Sequence, residues 1–386
     1  MFWRIGVLMN FDFSADQRLI QSEAKRFLEA RCPASGVRAA MEKNSRYDAA
    51  LWHEIIELGW LGIAIDECYG GLGLSYLELC LVAQELGRVA APVPFASTVY
   101  LFAELVKLTG SDEQKQRWLP AVVKGEVIGA LVTGSIGGSP NSVASDLRVE
   151  QGKLYGSHTA VIDGDIANVA VVAASDSEQA GVNSLFLVEL NQQEISVSAQ
   201  TAIDPSRAIA SLVFSGATVE RLGEPARSSE TLQQLYDIAA VLIAFEQVGG
   251  AQAALAMGLA YTQQRYAFGR QIASFQAIKH KFADMYVAND LAEANAYYAA
   301  YALNGDQQAL PLAAATARVS AGRAFFHSTK ENIQVHGGMG YTWEFDCHLY
   351  YRRAQLLSSW LAGERYWRAR LATALIETDR EHLALL

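Results

Sequence analysis

The 386-residue sequence has no cluster of lysines and arginines, no paired cysteines and only one stretch apolar enough to cross a bilayer. Each shortage excludes something. With a net charge of -10 spread along the chain and no basic run to track a phosphate backbone, nucleic acid is not expected as a partner. Cys32, Cys68, Cys80 and Cys347 are scattered, with neither a CxxC pair nor a histidine at zinc-finger spacing, so no disulfide framework and no metal site are expected. The N-terminal MFWRIGVLMNFDFSADQ has one arginine and a short apolar run, too short for a secretory core, and a cytoplasmic location is expected. Common nucleotide and hydrolase signatures are missing too. GGLG (70–73) and GSIGGS (134–139) fit neither GxGxxG nor a Walker loop and read as turns, and there is no GxSxG elbow. The seven histidines show no metal-ligand spacing and read as solvated or structural.

The one membrane-length stretch is IAAVLIAFEQVGGAQAALAMGLAYTQ (238–263), in which Glu246 is the only charged side chain. It also holds glutamines and glycines, and its flanks carry no positive-inside signature, so a helix buried inside a large helical domain is expected, with no membrane contact. The lone carboxylate needs a reason. A buried charge is either paired, here with an arginine or a backbone end, or held for chemistry with a raised pKa.

At this length two or three domains are expected. Residues 14–128 are helix-periodic, with Ser14 or Asp16 capping a first helix and breaks at YGGLG and APVP. From 129 short β-branched runs such as AVIDG, VAVVAA and LFLVEL alternate with turn residues, and from 226 long apolar-periodic segments return. The expected class is mainly α with a central β domain: an N-terminal helical domain (1–128), a middle antiparallel β-barrel (129–225) and a C-terminal four-helix bundle (226–386).

Two C-terminal segments are the most specific: RYAFGRQIASFQAIKHKFADM (265–285) and QVHGGMGYTWEFDCHLYYRRA (334–354). Both resemble signature segments of the acyl-CoA dehydrogenases, and the α, β, α order resembles that family over nearly the whole chain. The resemblance implies FAD as cofactor, an acyl-CoA thioester as substrate and an electron-transfer flavoprotein or similar acceptor. It places Arg265, Phe268, Phe275, Ile278, Gln334, Val335, Gly337 and Gly338 around the dinucleotide, partly across a subunit interface. The chemistry agrees, since the Arg265 guanidinium is a planar fork that suits a pyrophosphate and Gly337 and Gly338 let backbone approach a ligand closely. Thr133 and Ser139 match residues near the flavin. Here the sequence departs from the family pattern, with Gly134 for Glu, Pro140 for Asp, and the flavin-covering tryptophan replaced near Ala160.

Dehydrogenating the thioester requires a carboxylate to take the α-proton while the β-hydrogen leaves as hydride. By the resemblance the usual base position holds Leu361, and the alternative position on the long helix holds Ala239. Glu246, seven residues past Ala239 and about 10 Å along the axis, is the candidate base, with Glu364 and then Asp237 behind it. The segment HLYYRRA resembles a bacterial subgroup that often acts on CoA thioesters of steroid side chains, in which two different subunits form a heterotetramer. The expected function is therefore FAD-dependent α,β-dehydrogenation by a homotetramer or heterotetramer. A non-catalytic or flavin-lending subunit and an acyl-CoA oxidase are the alternatives.

Overall fold

The computed structural model describes residues 13–42, 46–134, 139, 146–179 and 183–384. The apolar N-terminal run and most of the GSIGGS segment lie outside the described residues.

The first helix, α1 (Ala15–Arg31), begins where Ser14 and Gln17 cap each other reciprocally, side chain to backbone. Helices α2 (Ala34–Glu42), α3 (Ala49–Glu57) and α4 (Tyr76–Arg88) follow, and the expected break at YGGLG is a turn with Gly70 and Gly73 in the left-handed region. After the APVP break comes a wide helix with i→i+5 bonding, Ala96–Ala103, every residue of it buried, which runs into α5 (Glu104–Thr109) and on to α6 (Asp112–Val123). The wide helix meets the next layer closely. Its Thr98 hydroxyl accepts the Gly129 N–H, and a Cβ on Gly129 would lie 2.3 Å from Phe102.

The middle layer is a sheet of β1 (Gly129–Val132), β2 (Arg148–Glu150), β3 (Lys153–Ile162), β4 (Val169–Asp176), β5 (Asn183–Glu189), β6 (Ile195–Ala199), β7 (Ile209–Thr218) and β8 (Glu220–Leu222). Its order is β6-β7-β3-β2-β4-β5-β8, with β1 also paired to β4. Two features differ from an antiparallel barrel. The path among the described residues is open, with β6 and β8 as its ends, and β1 and β2 both run parallel to β4. The parallel pairing arises because β1 and β2 lie end to end along one side of β4, with β3 as the returning strand that makes the crossover. Side chains alternate as a pleat requires: Val172, Ala174, Phe186, Val188, Leu212 and Phe214 fill a core within the sheet layer, whereas Val171, Ala173, Leu185 and Leu187 face the helices.

The long apolar stretch is α7 (Ser228–Gln264), 37 residues and so about 55 Å long. It is the central helix of the molecule, covered by α4, α8 (Gln276–Gly305) and α9 (Leu310–His336), with α10 (Cys347–Ser359) and α11 (Glu364–Ala384) outside. From Leu235 to Ala251 every residue of it is buried, and a stretch enclosed on all sides has no use for a polar face, which accounts for its composition. Its glycines serve packing. A Cβ on Gly249 would lie 1.8 Å from the Gln84 carbonyl oxygen, one on Gly87 would lie 2.0 Å from the Glu246 carbonyl oxygen, and one on Gly250 would strike the Phe325 ring at 2.5 Å. Helices α4 and α7 thus cross with their backbones in contact. A short hairpin, β9 (Tyr266–Ala267) and β10 (Arg270–Gln271), joins α7 to α8.

Candidate active site

Where the wide helix, the sheet and α7 meet, a narrow crevice is lined by Leu101, Thr133, His158, Tyr236, Trp360 and Leu361, among others. Thr133 lies just past β1, and its hydroxyl is 3.1 Å from the Tyr236 hydroxyl of α7. Ala160 and Ala362 also face the crevice, and Ala160 sits in the left-handed region where the β3–β7 register shifts between His158 and Val161. One wall is the Trp360–Ala362 turn after α10. Leu361 and Ala362 both have positive φ, 53° and 69°, a backbone that residues with a Cβ adopt only when their surroundings impose it. The surroundings do so here: the Trp367 indole donates to the Leu361 carbonyl at 2.9 Å, and Arg318 donates to the Trp360 carbonyl at 2.9 Å and to that of Leu357.

The structure thus puts Leu361, which the family resemblance sets at the usual base position, into the crevice wall. Ala239 is fully buried one turn beyond Tyr236. Among the described residues, none that lines the crevice is a carboxylate. Sequence reasoning missed Tyr236, His158 and Trp360. Tyr236 had a signal, a polar aromatic three positions before Ala239 and so on the same helix face. His158 had none, and burial lowers its pKa, which keeps the imidazole neutral.

Glu246 lies elsewhere, ten residues beyond Tyr236 on α7 and 4% exposed. Burial pushes its pKa up, while Arg207 and Arg353 pull the other way; the Tyr100 hydroxyl also borders it. Arg207 bonds Asp163 at 2.6 Å, and Asp163 in turn accepts from Ser97 at 2.7 Å. Arg353 bonds Asp204 at 2.6 Å, the Ser206 hydroxyl at 3.0 Å and the Ala90 carbonyl at 3.1 Å, tying α10 to the loop between β6 and β7 and to the loop after α4. The other carboxylates considered are paired: Asp237 with Arg370 of α11, and the half-exposed Glu364 with Arg368 at 3.1 Å and Arg323 at 3.6 Å.

The two signature segments meet at the far end of α7. Tyr261 stacks on His336 with ring centroids 4.0 Å apart, which brings the Arg265 segment beside the C-terminus of α9. Arg265 ends α7 and is exposed, and Phe268 is 94% exposed with φ 54°. Phe275 and Ile278 are half-buried, with the Phe275 ring edge-on to Phe268 at 6.3 Å. Gln334 is exposed and Val335 buried, and Gly337, at φ 61°, and Gly338 stand in open space. An open guanidinium, an uncovered aromatic ring and bare glycine backbone fit a phosphate-bearing aromatic ligand. Ser139 is half-buried.

Comparison with known proteins agrees with this architecture. Residues 14–126 match the acyl-CoA dehydrogenase N-terminal domain and residues 230–365 the C-terminal domain. The chain is 32% identical to the acyl-CoA dehydrogenase IpdE2 of Mycobacterium tuberculosis over 350 residues, 89% of this chain and 93% of that one. Its fold matches butyryl-CoA dehydrogenase from Megasphaera elsdenii with a TM-score of 0.86 at 25% identity, covering 95% of this chain and 100% of that one. It matches a chain of the ChsE4-ChsE5 complex from Mycobacterium tuberculosis with a TM-score of 0.85 at 25% identity, covering 96% and 99%. The chain belongs to the acyl-CoA dehydrogenase family, oxidoreductases that act on the CH–CH group.

Proposed function

We propose that this chain takes part in the flavin-dependent α,β-dehydrogenation of an acyl-CoA thioester, with the crevice at the end of β1 as the reacting end. The observation that carries the reading is the crevice, a narrow cleft with the Thr133 and Tyr236 hydroxyls meeting inside it, in a chain of this family. Bound FAD would supply the hydride acceptor. The apolar side chains Leu101, Trp360 and Leu361 exclude water, and Thr133 offers a hydrogen bond to a polar ring edge, a role the family resemblance extends to Ser139. At the far end, Arg265, Gln334, Gly337 and Gly338 are the residues for the pyrophosphate, and Phe268, Phe275, Ile278 and Val335 those for the adenosine.

The two ends belong to different subunits in this proposal. Tyr236 and Arg265 are 29 positions apart on one helix (265 minus 236), about 43 Å, further than one dinucleotide reaches. A partner subunit therefore completes each flavin site, in a homotetramer or a heterotetramer. The HLYYRRA segment supports a bulky, steroid-type acyl group, with an electron-transfer flavoprotein as acceptor.

The α-proton requires a carboxylate. Glu246 is this chain's candidate. That no carboxylate lines the crevice among the described residues favours a second reading, in which a different partner chain carries the base. The deciding experiment expresses the chain alone and with a second acyl-CoA dehydrogenase subunit, then measures flavin content and reduction of an artificial acceptor by CoA thioesters. A flavin-loaded assembly that turns over supports the proposal; an assembly that binds no flavin in either form sinks it. Turnover by the chain alone that survives Glu246→Gln removes Glu246 as base.

A further inference from the structure

Arg38 and Glu42 stand one turn apart on the same face of α2, and both reach the loop at 342–346 that follows the Gly337–Tyr341 turn. Arg38 donates to the Glu344 carbonyl at 2.8 Å, 306 positions away, and to the Trp343 carbonyl at 3.3 Å. The same guanidinium stands 3.2 Å from the Asp346 carboxylate. Glu42 accepts the Trp343 indole N–H at 2.8 Å, and His348 stacks on the Trp343 ring with centroids 4.6 Å apart. The backbone before Phe345 and the side chain after it are therefore both held by α2.

Phe345 carries this hold to the dinucleotide surface. Its ring meets Tyr261 edge-on at 6.2 Å and His336 at 5.9 Å, so it packs on the stacked pair that joins α7 to α9. Both dinucleotide segments start from that pair. The Arg265 N–H closes α7 on the Tyr261 carbonyl at 2.9 Å, and Gly337 follows His336 directly, whose Nδ1 is 2.7 Å from the Asn332 carbonyl. A Cβ on Gly340 would lie 2.6 Å from the Ile333 carbonyl oxygen, so the turn between the glycine pair and the loop is folded tightly back on α9.

We propose that Arg38 and Glu42 are positioning residues: by fixing the 342–346 loop they hold Phe345 against the Tyr261–His336 stack and so set the spacing between Arg265 and the Gly337–Gly338 backbone. The N-terminal helical domain, remote in sequence from the phosphate end of the site, thereby governs how well that end grips a dinucleotide. This rests on the reading of that surface as the pyrophosphate site.

The test titrates FAD into the flavin-stripped assembly and follows amide hydrogen exchange in the 334–346 peptide. We expect Arg38→Ala to weaken FAD binding about 2- to 30-fold, the range for a residue that acts on a site without touching the ligand, and to speed exchange in that peptide. Arg38→Lys should recover part of both, because it keeps the charge facing Asp346. The double variant Arg38→Ala/Phe345→Ala should bind no more weakly than Phe345→Ala alone, since Arg38 acts through that ring. Trp343→Phe removes only the N–H that Glu42 accepts; it should show the same loss at smaller size, and it takes the place of Arg38→Ala if that variant does not fold. A contact that only adds stability would lower Tm and leave the FAD dissociation constant of the folded protein unchanged. That outcome, or losses that multiply in the double variant, would overturn the proposal. Arg265→Ala in the same titration separates the two ideas. Loss of FAD there with full binding in Arg38→Ala overturns the positioning role alone; full binding in both overturns the pyrophosphate site and the proposal with it.

Discussion

Tyr261 of α7 and His336 of α9 stack face to face at 4.0 Å, and beside that contact two sequence motifs 69 positions apart (334 minus 265) become one surface. Arg265 emerges directly after the stacked helix end, with no carboxylate salt-bridged to it among the described residues. We predict that Arg265→Ala will purify with the fold intact and most of its flavin lost, and that Arg265→Lys will retain part of it, since an ammonium keeps the charge and loses the planar fork. Flavin-to-protein absorbance ratios read the outcome. Full occupancy in the alanine variant would rule out this surface as the pyrophosphate site.

Leu361 offers a gain-of-function test. Its side chain borders the crevice on a turn that is already fixed, so Leu361→Glu places a carboxylate beside Thr133 and Tyr236 without altering the backbone. If this chain lacks its own base, turnover of CoA thioesters should rise by a factor of about 10²–10⁴ over its residual rate. The rate should climb with pH through a raised carboxyl pKa, because the wall is apolar. A flavin-loaded variant with no gain would show that proton abstraction is not what the chain lacks.

The α4–α7 crossing predicts a structural sensitivity at small residues. Because a methyl group on Gly249 would sit 1.8 Å from the Gln84 carbonyl oxygen, Gly249→Ala must push two helix backbones apart. We expect a loss of about 3 kcal/mol or more, the upper end for overpacking, despite the better helix propensity of alanine. Gly322→Ala is the control, since its nearest neighbour is a flexible glutamine amide at 3.6 Å. Denaturant midpoints should separate the two, and equal midpoints would contradict the close crossing.

Asp237 predicts a pH effect. Burial raises its carboxyl to about 6 even though Arg370 pairs with it, against an ordinary value near 3.8. A carboxyl whose folded pKa is raised adds stability below its unfolded value and loses it as pH rises through the folded one. Asp237 should therefore cost stability above about pH 6, by at most about 3 kcal/mol. Relative to wild type, Asp237→Asn should gain Tm as pH goes from 5 to 7.5. A constant difference across that range would refute the raised value.

Much of this was legible in the sequence because it depends on local pattern. A first helix capped at Ser14 or Asp16, of which the structure uses Ser14, the turn at Gly70–Gly73, the α, β, α order and the burial of α7 follow from side-chain period, turn chemistry and the shortage of charge. The Arg265 and Gln334 segments were legible for a different reason, as chemistry-bearing strings that resemble a family. The parallel pairing of β1 and β2 with β4 was not, since a strand's own pattern does not name its neighbour.

By itself, then, the sequence determined which segments are helix or strand, which family they resemble, and that one carboxylate lies in an apolar helix. Only the tertiary structure decided what surrounds that carboxylate. The three arginines near Glu246 come from positions 207, 318 and 353, in the loop before β7, on α9 and on α10, and no spacing along the chain encodes their meeting. Charge compensation in a core depends on which side chains converge in space, and residues far apart in sequence converge only once the layers have packed.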